Sequence, residues 1–331
     1  MPVLERPDIS GALPAAGSKG ILVPIDYARE IIKGAGQSSF ALRNFRTQRM
    51  PAYAQVMPVL TALPVADWVS EQPLTGAGSN VTKKPTTEPG FENAILQAEE
   101  CAAIVVVPEA VLYDTSIDLW GELRPLLTDA LGRLVDRAVL FGGVAGGGAK
   151  PASWPDGVVG VALADGIAAD DPNFIAALSA AMTQIEEKGG VPNLIGGGPG
   201  LLSNLREMVD GNGRPLYLDN MRTDTNFGSV LGVPLDIARN GAWDSTKAVA
   251  AVFDTTAVII GVREDITFKV LDQATIDISP ARDGSAMVYL AQQDCVALRV
   301  RYRLAYTTVS PISGYNERLR AASAVLPPGG P

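Results

Sequence analysis

The chain has 331 residues, more than one ordinary domain holds, so two domains, or one with large insertions, are expected. Histidine is absent and the net charge is −9; the first argues against most hydrolases and zinc enzymes, the second against a protein whose task is to grip nucleic acid. Hydrophobic residues make up 47% and charged residues only 19%, too little charge to keep monomers apart, so much of the surface is expected to be subunit interface.

Residues 1–20 are rich in Pro, Gly and Ala without periodicity and read as an extended arm that needs a neighbour to order it. Ile25, Ala28, Ile31 and Ile32 recur at helical spacing, and Gly34 and Gly36 end the short helix they predict over 25–33. Arg43, Arg46 and Arg49 form a basic patch, which is either a solvated turn or a contact to DNA or to an acidic neighbour. Two strand-like runs, 54–63 and 91–107, are separated by a polar stretch holding Gly76, Gly78, Lys83, Lys84 and Pro85. Such a protruding hairpin buries too little surface to stand alone and is expected to lie on another subunit, with Trp68, next to Glu71 in Trp68-Val-Ser-Glu71, as an aromatic anchor.

Asp114, Thr115 and Ser116 are N-cap candidates for a long helix ending at Phe141, with Asp118 and Glu122 near its positive end. Trp120, Leu123, Leu127, Leu131, Leu134, Ala138 and Phe141 give it one apolar stripe, and Asp129, Arg133, Asp136 and Arg137 are expected mainly on the other side. Pro125 is expected to kink it. After the glycine-rich break at 142–148, a mixed second domain is predicted: a strand over 158–163, a helix over 171–188, a strand over 191–195 and a helix over 201–209. A turn over 210–213 and strands near 231–238, 248–253 and 256–262 complete it. Strand patterns return at 266–271 and 295–308. There Val296, Leu298, Val300, Tyr302 and Leu304 alternate with Ala297, Arg299, Arg301 and Arg303, giving one apolar and one basic face. The tail from Leu326 is rich in Pro and Gly and is expected to lack structure.

No motif assembles catalytic chemistry. The 142–150 stretch lacks the Gly-Lys-Ser/Thr ending of a phosphate loop, since Ala149 precedes Lys150 and Pro151 follows. The run Ile195-Gly-Gly-Gly-Pro-Gly200 has Leu201 where a dinucleotide loop needs its third glycine, which favours a tight turn. Cys101 and Cys295 stand alone and read as buried small hydrophobes. No run is long and apolar enough for a membrane span, and residues 1–10 lack the pattern of a signal peptide, so synthesis in a cytoplasm is expected.

The order of these segments, and their wording, resembles the tailed-phage major capsid family with the Hong Kong ninety-seven fold. The wording lies in Gly20-Ile-Leu-Val-Pro-Ile25, Ala66-Asp-Trp-Val-Ser-Glu71, the run from Ala103 to Asp114, Val135-Asp-Arg-Ala-Val-Leu-Phe-Gly142 and the run from Gln292 to Arg301. The resemblance implies an α+β architecture: an arm over 1–20, peripheral-domain parts over 21–52 and 96–144, an extended loop over 53–95, an axial domain over 145–250, and peripheral strands and tail over 251–331. It implies a shell subunit without catalysis, cofactor or metal that self-assembles in hexamers and pentamers around double-stranded DNA. Trp68, Glu71, Lys83 and Lys84 would make contacts between subunits, and Arg43, Arg46 and Arg49 would face DNA or the inner surface. Family-like wording begins near Ile21, so a separate scaffolding protein, or none, is expected, with a portal, a decoration protein as a further partner, and no membrane. Assembly is expected in the host cytoplasm. The alternatives are an encapsulin-like nanocompartment of the same fold and an α/β enzyme, which the missing histidines disfavour.

Overall fold

The computed structural model describes residues 39–66, 86–114, 118–143, 150–168, 174–207, 228–279 and 283–328. The expected arm, the helix over 25–33, the turn over 210–213 and the segment with Trp68, Glu71, Lys83 and Lys84 lie outside them. From the N-terminal side the elements are α1 (Phe40–Asn44), β1 (Arg46–Arg49), β2 (Ala54–Ala62), β3 (Gly90–Gln97), β4 (Glu99–Pro108), α2 (Glu109–Asp114) and α3 (Leu119–Phe141). Next come α4 (Val158–Ala162), β5 (Ile167–Ala168), α5 (Phe174–Glu186), β6 (Leu194–Gly197), α6 (Pro199–Glu207), β7 (Ser229–Val230), β8 (Val233–Ile237) and β9 (Ala250–Phe253). The last are β10 (Val258–Leu271), β11 (Thr275–Asp277), β12 (Met287–Tyr289), β13 (Cys295–Thr308) and β14 (Ala322–Leu326). Helix and strand in this mixture make an α+β chain.

The chain divides into a larger unit, residues 37–101, 129–265 and 302–331, and a smaller one, residues 1–36, 102–128 and 266–301. The core of the larger unit is a six-stranded sheet in the order β5-β14-β9-β6-β8-β7. Its central strands β6 and β9 are buried at every position, which explains why they read as short unbroken apolar or small-residue runs rather than alternating ones. Phe174, Ala177, Leu178, Ala181, Met182 and Ile185 recur at helical spacing along α5, and Leu201, Leu202 and Leu205 do so on α6; all pack with the sheet in one cluster. Each fully buried Leu or Ile there contributes about 1.5–3 kcal/mol. Strand β14 sits inside this sheet, antiparallel to β9 and parallel to β5, although its residues were not expected to form a strand. It brings residues 322–326 into a sheet otherwise built from the span 167–253.

The expected strand over 158–163 is instead the helix α4. Val158, Val159 and Ala162 are buried while Val161 is 61% exposed, a one-sided pattern that fits a helical turn and not a pleat. Gly157 starts it against the end of α3: a Cβ there would stand 2.2 Å from the Gly142 nitrogen and 2.6 Å from the Leu140 oxygen. Gly157→Ala is therefore expected to cost about 1–3 kcal/mol by overpacking, seen as a lower urea midpoint with an unchanged slope.

Helix α3 is the long helix read from the sequence, and it contains Pro125. Its cap is Asp118, whose Oδ1 accepts from the Gly121 N–H at 3.1 Å, in place of the expected residues 114–116; Asp114 ends the separate helix α2. A four-stranded sheet has the order β1-β10-β13-β4. Along β13, Leu298, Val300, Tyr302 and Leu304 are buried while Arg299, Arg301 and Arg303 are half-buried, which follows the alternation in the sequence. In the smaller unit β11 and β12 form an antiparallel hairpin.

Candidate assembly surface

Strands β2 and β3 pair antiparallel, with Val56 opposite Ile95, Pro58 opposite Asn93 and Leu60 opposite Phe91. Side chains alternate across a strand, so these residues share one face, and Gln55, Leu96, Met57 and Ala94 share the other. The second face is bound to its own unit: Leu96 is fully buried with Met50, Ala98, Ile259 and Ala305, and Met57 packs against them. The Ala98 N–H donates to the Tyr53 carbonyl at 2.8 Å and the Ile312 N–H to the Leu60 carbonyl at 3.0 Å. The first face is left in solvent, with Val56 54%, Ile95 57% and Phe91 66% exposed. A two-stranded ribbon apolar on both sides marks an interaction surface, because water penalises the uncovered face.

Residues 39–44, on the path from the arm to this hairpin, are held by two carboxylates. Asp136 of α3 is fully buried. Its oxygens accept from the Ser39 hydroxyl, the Asn240 side-chain amide, the Phe40 N–H at 2.8 Å and the Ala41 N–H at 2.9 Å. Burial raises its pKa above the usual carboxylate value, and those hydrogen bonds oppose the rise without cancelling it. The sequence placed Asp136 on the polar side of the helix; it lies inside because it satisfies the orphan N–H groups at the start of α1. Asp236 of β8 holds the other end of α1: the Arg43 guanidinium donates from Nε at 3.0 Å and Nη2 at 2.7 Å, and the Asn44 amide joins them. Around them Phe40, Phe45, Phe253 and Trp243 pack mostly edge to face.

The three arginines read as one basic patch are separated by this geometry. Arg43 is engaged with the nearly buried Asp236, and charge-assisted pairing of that kind is strong. Arg46 and Arg49 lie three apart on β1 and so project to opposite faces. Arg49 is 86% exposed in its side chain and stands 3.5 Å from Asp265, a surface pair worth little.

The glycine run at 195–200 is a packing device. A Cβ at Gly196 would meet the Phe40 ring at 2.7 Å and the Phe253 ring at 2.8 Å, so glycine there lets β6 pass close to both rings. Cys101 is half-buried, its thiol pushed up to about 11 by burial, and it donates to the Tyr302 carbonyl at 3.3 Å, a setting that makes it inert. Among the described residues no group of three or more Cys, Asp or Glu is arranged to hold a metal.

The phage capsid family model matches residues 19–313. A solved structure from Microbacterium phage Oxtober96 is 34% identical, covers 92% of this chain and 96% of its own, and superposes with a TM-score of 0.76. One from Mycobacterium phage Adephagia is 31% identical, with 94% and 97% covered and a TM-score of 0.78. The capsid of a native GTA particle computed with C5 symmetry has the same fold at 16% identity, with 95% and 98% covered and a TM-score of 0.60. No curated protein matches the sequence.

Proposed function

Since the chain belongs to the phage capsid family and is a major capsid protein of a phage head shell, we propose that it builds that shell by laying the β2–β3 hairpin across an adjacent copy. The observation that carries this reading is the apolar face of Val56, Leu60, Phe91 and Ile95, opposite a face already packed at home. The protein is structural, it associates with itself, and it resides in the virion.

In this reading residues 53–95 form the extended loop, with Trp68, Glu71, Lys83 and Lys84 at contacts between subunits. Residues 145–250 form the axial domain, whose sheet also takes in β14, and 21–52, 96–144 and 251–331 form the peripheral parts. Hairpin and arm contact different patches on each neighbour, and such head-to-tail contacts close into the rings of hexamers and pentamers. The shell encloses double-stranded DNA without reading its sequence, as the net charge of −9 suits. Arg46 and Arg49 are exposed on opposite faces of β1, so one of the two is the inner-surface contact, while Arg43 serves the Asp236 clasp. A separate scaffolding protein, a portal and a decoration protein are the other partners, and assembly takes place in the host cytoplasm.

A reconstruction of assembled particles by electron microscopy tests the hairpin contact. The face of Phe91 and Ile95 is expected against a neighbouring subunit; finding it open to solvent in the closed shell would overturn the reading.

A further inference from the structure

Between β13 and β14 the chain crosses the larger unit in a segment anchored at both ends beside β9. The Val309 N–H donates to the Ala257 carbonyl at 2.8 Å, and the Asp254 N–H to the Ala321 carbonyl at 3.0 Å. Within the segment, residues 311–319 fold back on themselves: the Leu319 N–H donates to the Pro311 carbonyl at 2.9 Å and the Ser313 N–H to the Glu317 carbonyl at 2.7 Å. Asn316 takes the left-handed conformation there, φ 60°, which asparagine tolerates. The turn sits on Gly189, just past α5, where a Cβ would stand 2.6 Å from the Ser313 Cβ.

Two adjacent residues of opposite charge on this turn face different elements. Glu317 pairs with Lys188, just past α5, at 3.0 Å, and Arg318 with Glu92 of β3 at 2.9 Å. The Ile312 N–H adds a bond to the Leu60 carbonyl of β2 at 3.0 Å. Glu92 projects from the same face of the hairpin as the buried Leu96, so the hairpin is held at Leu96 and again about 13 Å farther out. Two attachments along a ribbon set its tilt; with the outer one released, the inner one is a hinge. The four charged side chains are between 44% and 62% exposed, so each pair is weak and screened by salt. Ser313 is buried, and its hydroxyl finds no hydrogen-bond partner among the described residues, a cost borne only while the turn is seated.

We propose that the 311–319 turn is a releasable strap that couples the end of α5 to the tilt of the β2–β3 hairpin. Seated, it holds the hairpin at one angle. Released, by salt or by movement of the α5 end, it lets the hairpin swing about Leu96. The strap acts inside one subunit; that it governs how the face of Phe91 and Ile95 is presented to a neighbour rests on the shell-subunit reading.

Spin labels at Asn93→Cys on the hairpin and Ser203→Cys on α6, both exposed positions, read the tilt as a distance distribution. The chain is full-length and unassembled, with Cys101 and Cys295 replaced by alanine. One narrow distribution is expected at low salt, broadening in molar salt. Lys188→Glu, whose site pairs with Glu317 and not with the hairpin, is expected to broaden it, as is Arg318→Glu. Hydrogen exchange across 309–320 is expected to quicken about two- to fivefold in each. Adding Glu317→Lys to the first or Glu92→Arg to the second is expected to restore the narrow distribution, which separates release from misfolding. Ser313→Ala, which removes the orphan hydroxyl, is expected to slow that exchange at least about threefold. An unchanged distribution in Arg318→Glu would overturn the strap, and one in Lys188→Glu would overturn its coupling to α5. Because the subunit is unassembled, neither result bears on docking of the hairpin. A closed shell with the hairpin face open to solvent would overturn that docking and leave the strap standing.

Discussion

Replacing Asp136 by asparagine is expected to destabilise the unassembled subunit by about 2–4 kcal/mol. Oδ1 accepts from the Ser39 hydroxyl and the Ala41 N–H, and Oδ2 from the Phe40 N–H and the Asn240 amide. Asparagine keeps one oxygen and turns an N–H2 group toward the other pair of donors, so buried donors face a donor and lose their acceptor. The start of α1 would come loose from α3, and with it the attachment of the chain that leads to the arm. Urea unfolding checks this; an unchanged midpoint would show that the clasp contributes nothing.

The same residue sets a sign for the effect of pH. Burial holds the folded-state pKa of Asp136 above its ordinary 3.8, so over the interval between the two values the folded subunit binds a proton that the unfolded chain has released. The contribution of this group to stability is therefore greatest below 3.8 and declines as pH rises through the folded value. Asp136→Asn removes that slope, and comparing the two proteins across the interval isolates it from the other carboxylates.

Phe91→Glu combined with Ile95→Glu is expected to abolish assembly and leave the fold intact. Both side chains are largely exposed in the subunit, and exposed substitutions usually change stability by less than about 0.5 kcal/mol. In the shell each would be covered, at about 1.5–3 kcal/mol per side chain, and burying an unpaired carboxylate in its place costs more. Losing about 3 kcal/mol per contact corresponds to roughly a hundredfold in its equilibrium constant. Sedimentation of the purified variant reads the outcome: slow species only are expected, and normal shells would remove the hairpin face from the interface.

Much of the fold was legible because its elements are long or strongly patterned. The apolar stripe of α3 repeats over six turns of a 23-residue helix, and the alternation in β13 repeats at Leu298, Val300, Tyr302 and Leu304. Short elements failed where two periods fit equally well, as in α4, whose five small and β-branched residues read as a strand but turn as a helix after Gly157. Strand β10 was read as two runs because Arg263, Glu264 and Asp265 interrupt its apolar pattern, yet it continues through them, with Glu264 3.9 Å from Arg303. Strand β14 was hidden by the Pro/Gly-rich tail that follows it.

The surface was legible in part. The hairpin came from strand length and the polar stretch between the runs. The burial of Asp136 did not, since one acid on a charged helix face carries no mark of the N–H groups it will meet. A hint lay in Ser39, an N-cap type three residues before Leu42, whose N–H its hydroxyl accepts at 3.2 Å. The engagement of Arg43 was not legible for the related reason that its partner, Asp236, lies 193 residues away.

Negative-stain electron microscopy of the full-length chain expressed by itself tests the shell-building role most directly. Closed polyhedral shells, tubes or ring-shaped capsomers are the expected result; dispersed particles of monomer size at high concentration would contradict it.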